Sequence, residues 1–132
     1  MLGRIGGRRI IPTLLQALES DNNRVRCNAA LALGDLRAKE AVAPFLKLMK
    51  ESDECLRAIA ASSLGLIGDK RAVPVLIEAL EDKAETVRAI AVSSLGCLGD
   101  CRAIEPLERS LNDRSKAVRD QARAALAKLK AQ

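Results

Sequence analysis

The stretch Leu56-Arg57-Ala58-Ile59-Ala60-Ala61-Ser62-Ser63-Leu64-Gly65-Leu66-Ile67-Gly68 decides the fold. Leu56, Ala60, Leu64 and Ile67 fall at i, i+4, i+8 and i+11, the spacing of one face of an α-helix. The same stretch recurs. Val25-Arg26 leads through Ala29 and Leu33-Gly34 to Leu36, and Val87-Arg88 through Ala91 and Leu95-Gly96 to Leu98. Val118-Arg119 leads through Ala122 and Leu126 to Leu129. The copies start at residues 25, 56, 87 and 118, a constant period of 31 residues with no insertion or deletion. A fixed period of this length marks an array in which each unit buries its apolar face on its neighbours.

A second helical pattern lies between these stretches. Its apolar positions run Ile11, Leu14, Leu15, Leu18; then Val42, Phe45, Leu46, Met49; then Val73, Leu76, Ile77, Leu80. In the last copy they run Ile104, Leu107, Glu108, Leu111, with an acid in the third place. The spacing i, i+3, i+4, i+7 predicts an amphipathic helix of about three turns. Each copy carries a proline near its start: Pro12, Pro44, Pro74 and Pro106. Proline suits an opening turn and kinks a helix deeper in. Pro44 and Pro106 lie one place later in the register than the other two, which predicts a bend there. The turns agree with this division. Gly68-Asp69 and Gly99-Asp100 read as a left-handed C-cap followed by an N-cap. Asn22, Asp53 and Ser115 read as caps of the second helices, whereas Ala84 is a poor cap and predicts fraying.

Four hairpins follow, at about 9–36, 40–67, 71–98 and 102–130, within one repeat domain covering 1–132. Residues 1–8 fit the tail of a preceding helix, since Leu2-Gly3 matches Leu33-Gly34. The chain thus reads either as a fragment of a longer array or as one that starts mid-unit. On that reading the N-terminal lip exposes Ile10, Ile11, Leu14 and Leu15 to some degree, which predicts self-association through that end if no preceding unit covers it. Gly34, Gly65 and Gly96 recur inside helices, where glycine costs ~1 kcal/mol against alanine. They predict backbones that approach too closely for a side chain. The last hairpin is more polar, with Glu108, Asp120, Gln121, Arg123, Lys128 and Lys130, and reads as a capping unit with a solvated outer face.

Composition narrows the function. The chain has 132 residues, a net charge of +5, one phenylalanine as its only aromatic residue, and no histidine. Nearly absent aromatics and abundant Ala and Leu suit closely packed helices. No Ser or Cys has a histidine to act as its base, so nucleophilic catalysis of that kind is excluded. The four cysteines, Cys27, Cys55, Cys97 and Cys101, form no CxxC pair, and the usual zinc and thioredoxin spacings are missing. They read as reduced thiols of an intracellular protein, with a local Cys97–Cys101 disulfide as the alternative. No apolar run approaches the ~20 residues of a membrane span, and no signal segment opens the chain, so a cytoplasmic location is expected. No catalytic residue, metal ligand or cofactor is assigned.

The pattern Val-Arg-x-x-Ala-(Ala/Val)-x-x-Leu-Gly-x-x-Gly-Asp at 87–100, with Arg-Ala-Val-Pro-x-Leu-Ile-x-Ala-Leu at 71–80, resembles the short HEAT-like repeat, often called the phycobilisome-lyase type. The resemblance covers essentially the whole chain. It implies an all-α, right-handed α-α superhelix, a solenoid with second helices on the concave side and first helices on the convex side. One hydroxylase of this class binds iron through His-Glu pairs, and a chain without histidine is excluded from that activity.

Two sets of candidate residues follow. The arginine column Arg26, Arg57, Arg88 and Arg119 has an acid or hydroxyl six residues earlier each time: Ser20, Glu51, Asp82 and Asp113. The resemblance implies that such a pair ties the turn to its helix, so these are expected to be structural ion pairs rather than a ladder for phosphate. The second set consists of columns that differ between copies: Cys27/Ala58/Ala89/Asp120, Asn28/Ile59/Ile90/Gln121, Leu31/Ser62/Ser93/Ala124 and Asp35/Leu66/Cys97/Lys128. On a helical wheel they fall in one arc opposite the core face. Packing does not dictate them, so they should face out, on the concave side that the resemblance implies. In the two central units Ile59, Ser62, Leu66, Ile90, Ser93 and Cys97 carry no charge. Asn28, Leu31, Asp35, Gln121 and Lys128 flank them as a mostly polar rim, the composition of a partner-binding patch. The alternative is half-burial of these residues by a tight superhelix.

The expected function is therefore a non-catalytic scaffold that binds a partner protein, or a second copy of the chain, on the central units. A phycobilin-lyase-type or chaperone-like subunit is the first alternative. Nucleic-acid binding through the basic ends, Arg4, Arg8 and Arg9 at one and Arg114 to Lys130 at the other, is the second. No Trp or Tyr is present to stack a base, which counts against it.

Overall fold

A proline stands second or third in each first helix. In the computed structural model, which describes residues 9–131, the first helices are α1 (Ile11–Ala17), α3 (Val42–Leu48), α5 (Val73–Ala79) and α7 (Ile104–Ser110). The second helices are α2 (Asn23–Asp35), α4 (Glu54–Ile67), α6 (Glu85–Leu98) and α8 (Lys116–Lys130). Among the described residues there is no strand, and no helix is long and apolar enough to cross a membrane. The helix remnant expected over residues 1–8 lies outside the described residues.

The first helices are shorter than the three turns their apolar spacing predicts, at seven residues each. Single 3-10 turns at Lys39–Ala41, Lys70–Ala72 and Cys101–Ala103 precede three of them. Asp69 and Asp100 cap the last two of these turns, accepting hydrogen bonds from the Arg71 and Arg102 backbone N–H groups at 2.9 Å. Pro44 and Pro106 stand third in α3 and α7, which run unbroken through them. The third N–H of a helix has no intrahelical acceptor, so proline there removes nothing and no bend is required. Gly68 and Gly99 adopt the left-handed C-cap conformation, with φ of +80° and +66°. Arg37 stands in the same register and is forced to φ +52°, a conformation that disfavours a side chain.

Asn22, Asp53 and Ser115 cap α2, α4 and α8 through their side chains. Ala84 offers no such bond, and its own N–H donates to Asp82 Oδ1 at 2.8 Å. The α6 helix nevertheless starts in the same register as α4.

Each first helix lies on its own second helix, and the second helices α2, α4, α6 and α8 pack on one another along the stack. First helices of successive units touch only at isolated points. Small residues permit the close approach. A Cβ built on Gly65 would lie 2.8 Å from Ser94 Cβ, and one on Gly34 would lie 2.9 Å from Ser63 Cβ. Ser94 Oγ donates to the Ala61 carbonyl at 2.8 Å and so satisfies its hydroxyl inside the stack. Leu33, Leu56, Leu64, Leu95 and Phe45 are fully buried in a continuous core.

At the N-terminal end one residue, Ile11, departs from expectation. Ile10 is exposed, but Ile11 is sealed in the core at 3% exposure and Leu14 and Leu15 are half-buried. Ile11 occupies the core register of Val42 and Val73.

Candidate functional site

The outward stripe of each second helix repeats at i, i+4, i+7 and i+11. In the central units it consists of Cys55, Ile59, Ser62 and Leu66 on α4, and of Thr86, Ile90, Ser93 and Cys97 on α6. Arg24, Asn28, Leu31 and Asp35 continue it on α2, and Ala117, Gln121, Ala124 and Lys128 on α8. All sixteen positions are exposed except Ile59 and Ile90, which are half-buried and packed against the core. Ile59 and Ile90 thus form the floor of the stripe, and Leu31 and Leu66 stand up from it at 50% and 44% exposure. Cys27, Ala58 and Ala89, also expected in the outward arc, are half-buried at its margin.

Arg24, Cys55, Thr86 and Ala117 belong to the stripe but are absent from the sequence-derived set. They vary between copies and lie one turn before the Asn28/Ile59/Ile90/Gln121 column, which was the available signal. Ser63 and Ser94 differ sharply from their neighbours Ser62 and Ser93. The first pair is buried between helices and the second pair is exposed.

Between α6 and α8 the stripe dips into a cleft of about 210 Å³, lined by Ser93, Gly96, Gln121, Ala124, Ala125 and Lys128. That is below the roughly 300–1,000 Å³ of a small-molecule site; it is the size of a depression for one or two inserted side chains. Among the described residues, no three or more His, Cys, Asp or Glu gather as a metal site. All four thiols are free. Burial pushes the Cys27 thiol above its ordinary value, and the nearby Asp53 carboxylate and Cys55 add to this. It is thus held in the protonated, weakly nucleophilic form.

The arginine column pairs in a register that the spacing did not predict. Arg57 Nε and Nη2 donate to Asp82 at 2.8 and 3.1 Å, and Arg88 Nε and Nη2 donate to Asp113 at 2.9 and 3.2 Å. Arg26 meets Glu51 at 3.0 Å. Each guanidinium therefore takes the acid of the following unit, not the one six residues earlier. Its own turn is held through carbonyls: Nη1 of Arg57, Arg88 and Arg119 donates to the carbonyls of Glu51, Asp82 and Asp113 at 2.9, 3.0 and 2.8 Å. Ser20 does not meet Arg26; its hydroxyl accepts from the Asn22 N–H. Asp82 and Asp113 also accept the N–H two residues on, at Ala84 and Ser115. Burial pushes both carboxyls up, but hydrogen bonds outweigh it and hold them below the usual carboxylate range. For Asp82 the Arg57 bonds lead; for Asp113 the Ser115 N–H leads and Arg88 follows. These pairs staple one hairpin to the next; Arg57–Asp82 and Arg88–Asp113 are largely buried, and Arg26–Glu51 is more open.

Comparison with known proteins places this geometry. The profile of the HEAT repeats matches residues 1–64 and again 42–127. Among solved structures, the chain is 26% identical to the CpcE–CpcF complex of phycocyanin lyase from Nostoc sp. PCC7120, covering 98% of this chain and 56% of that one, with a TM-score of 0.85. It is also 26% identical to human deoxyhypusine hydroxylase, covering 98% of this chain and 46% of that one, with a TM-score of 0.77. A designed armadillo repeat protein shares the fold at 21% identity, with 89% of this chain and 63% of that one covered and a TM-score of 0.72. The chain spans about half the length of the two natural proteins. No curated protein matches.

Proposed function

This chain belongs to the HEAT-repeat family, and from that premise we propose that it is a non-catalytic scaffold that binds a partner protein on the inner stripe of its central hairpins. The observation that carries this is Leu66, 44% exposed on a stripe with no charge in its two central units, with Leu31, 50% exposed, beside it on the first hairpin. A surface facing only water would carry charge there. Covering a large aliphatic side chain contributes ~1.5–3 kcal/mol, so two of them over a half-buried isoleucine floor make an anchor. Asn28, Asp35, Gln121 and Lys128 form the polar rim.

The test is a Leu31→Lys, Leu66→Lys double variant in a quantitative pull-down from the source cell. Both side chains are exposed, so the variant is expected to fold, whereas lysine at Ile59 or Ile90 would disturb the core. Specific loss of captured proteins with an unchanged thermal melt is the expected result. Capture at unchanged affinity overturns the proposal.

A second reading, a subunit of a lyase or chaperone-like assembly acting on a chromophore protein, is favoured by the likeness to the phycocyanin lyase complex. The about 210 Å³ cleft is small for a chromophore, which supports a protein surface as the ligand instead. A new absorbance band on mixing the chain with free bilin would decide for the second reading.

A further inference from the structure

The four second helices run side by side in one direction. Near their starts Asn23 donates to Asp53 and Ser115 donates to Glu85. Near their ends Gly34 faces Ser63, Gly65 faces Ser94 and Gly96 faces Ala125. Residues 31 apart therefore stand level, and the stripe is a grid of rows. One row runs Asn28, Ile59, Ile90, Gln121, and another runs Asp35, Leu66, Cys97, Lys128. Both rows are polar at their two ends and uncharged in the middle, and the second has opposite charges at its ends. Among the described residues neither Asp35 nor Lys128 has an ion-pair partner. Leu66 and Cys97 are exposed in the same row with a hairpin on either side. That row is open because of the way the helices face, not because of where a residue stands in the chain.

We propose that the stripe is the interface of a two-fold dimer, in which a second copy lies face to face on it with the order of its helices reversed. The axis runs parallel to the second helices, between α4 and α6, so α2 meets α8 of the second copy and α4 meets its α6. This rests on the reading of the stripe as a protein-binding surface and names the protein. Each row then matches its own reverse, as an isologous contact requires. Asp35 meets Lys128, Asn28 meets Gln121 and Ile59 meets Ile90, every pair occurring twice. Leu31 falls on Ala124 and Leu66 on Cys97, large on small. A two-fold axis along the stack is the other way to join the faces. It would pair Arg24 with Asp35, but it lays Ile59 and Ile90 on Ser62 and Ser93 and leaves Lys128 on Ala117 without a partner. The reversed order is the one that fits. Four helices about 9 Å apart, each offering a stripe about 17 Å long, cover roughly 600 Å² per copy or about 1,200 Å² in all, the size at which specific interfaces begin.

The experiment is sedimentation equilibrium of the purified full chain, with its charges exchanged one at a time and together. The wild type is expected to approach twice the 14.1 kDa of one chain as its concentration rises. Asp35→Lys and Lys128→Asp each set like charges opposite one another at two places and are expected to weaken the dimer about tenfold or more. Combining them restores both pairs and the wild-type affinity, a recovery that misfolding would not allow. A wild type that stays monomeric, single exchanges that leave the dimer intact, or a combined exchange that does not recover each overturns the proposal. So does a dimer that Arg24→Glu disrupts and Lys128→Asp does not, which sets the axis along the stack. A monomeric chain that still loses its captured proteins in the Leu31→Lys, Leu66→Lys pull-down overturns the dimer alone and leaves the stripe as the binding site of a different protein.

Discussion

Replacing Gly65 with alanine sets two opposed effects against each other, and the structure decides the sign. Inside a helix, alanine is favoured over glycine by about 1 kcal/mol. Against this, the new Cβ would lie 2.5 Å from Ser94 Oγ, 2.8 Å from Ser94 Cβ and 3.0 Å from Ser94 Cα. The hydroxyl can rotate, though doing so breaks its 2.8 Å bond to the Ala61 carbonyl. Cβ and Cα cannot move unless α6 moves with them. Overpacking of this kind costs roughly 1–3 kcal/mol, and with backbone involved the upper end applies. The net result is a loss of about 2 kcal/mol, or a fall in melting temperature of roughly 6–10 °C. Gly96→Ala is the internal control. Its nearest atoms are Ala125 Cβ at 3.1 Å and Cα at 3.3 Å, so strain and propensity should nearly cancel, within about 1 kcal/mol. Urea unfolding followed by circular dichroism measures both variants. If Gly65→Ala is more stable than the wild type by about 1 kcal/mol, propensity alone rules and the close approach of the second helices does not control the stack.

Other expectations are independent of that one. Arg57→Ala should cost roughly 3 kcal/mol, because it strands Asp82 in a largely buried position. In a double-mutant cycle the Arg57→Ala, Asp82→Ala pair should cost clearly less than the sum of the singles, and additive costs would contradict an inter-hairpin staple. Asp69, Asp82, Asp113 and Asp100, the last at about 2, titrate below the unfolded value of about 3.9. A depressed folded value means that their stabilisation is full above the unfolded pKa and is lost as pH falls from about 4 toward 2. Thermal melts should therefore hold steady on acidification to about pH 5 and drop below pH 4; a drop already complete by pH 5 would contradict this. Arg37→Gly should stabilise by about 0.5–1 kcal/mol, since the left-handed conformation at φ +52° costs a side chain more than glycine loses in entropy.

The amino-acid sequence determined everything that depends on neighbours along the chain. The period of 31 residues, the two helices per unit, the glycine C-caps at Gly68 and Gly99, and the caps at Asn22, Asp53 and Ser115 are local features, set by spacing and backbone preference. The core columns were equally legible, because Leu33, Leu64 and Leu95 are the same residue in each inner copy and a solenoid core has no other source.

Tertiary structure alone decided the questions that a repeat makes degenerate. The acid six residues before an arginine and the acid 25 residues after it belong to the same column. A perfectly periodic sequence therefore offers both partners equally, and only the stacking of one hairpin on the next chose the later one. The same holds for Ser62 against Ser63, adjacent and identical, of which one faces solvent and the other lies against Gly34. It holds also for Ile59 and Ile90, whose half-burial depends on how closely the glycines let the helices approach. Contacts between copies are made by geometry across the stack, and no spacing within one copy records them.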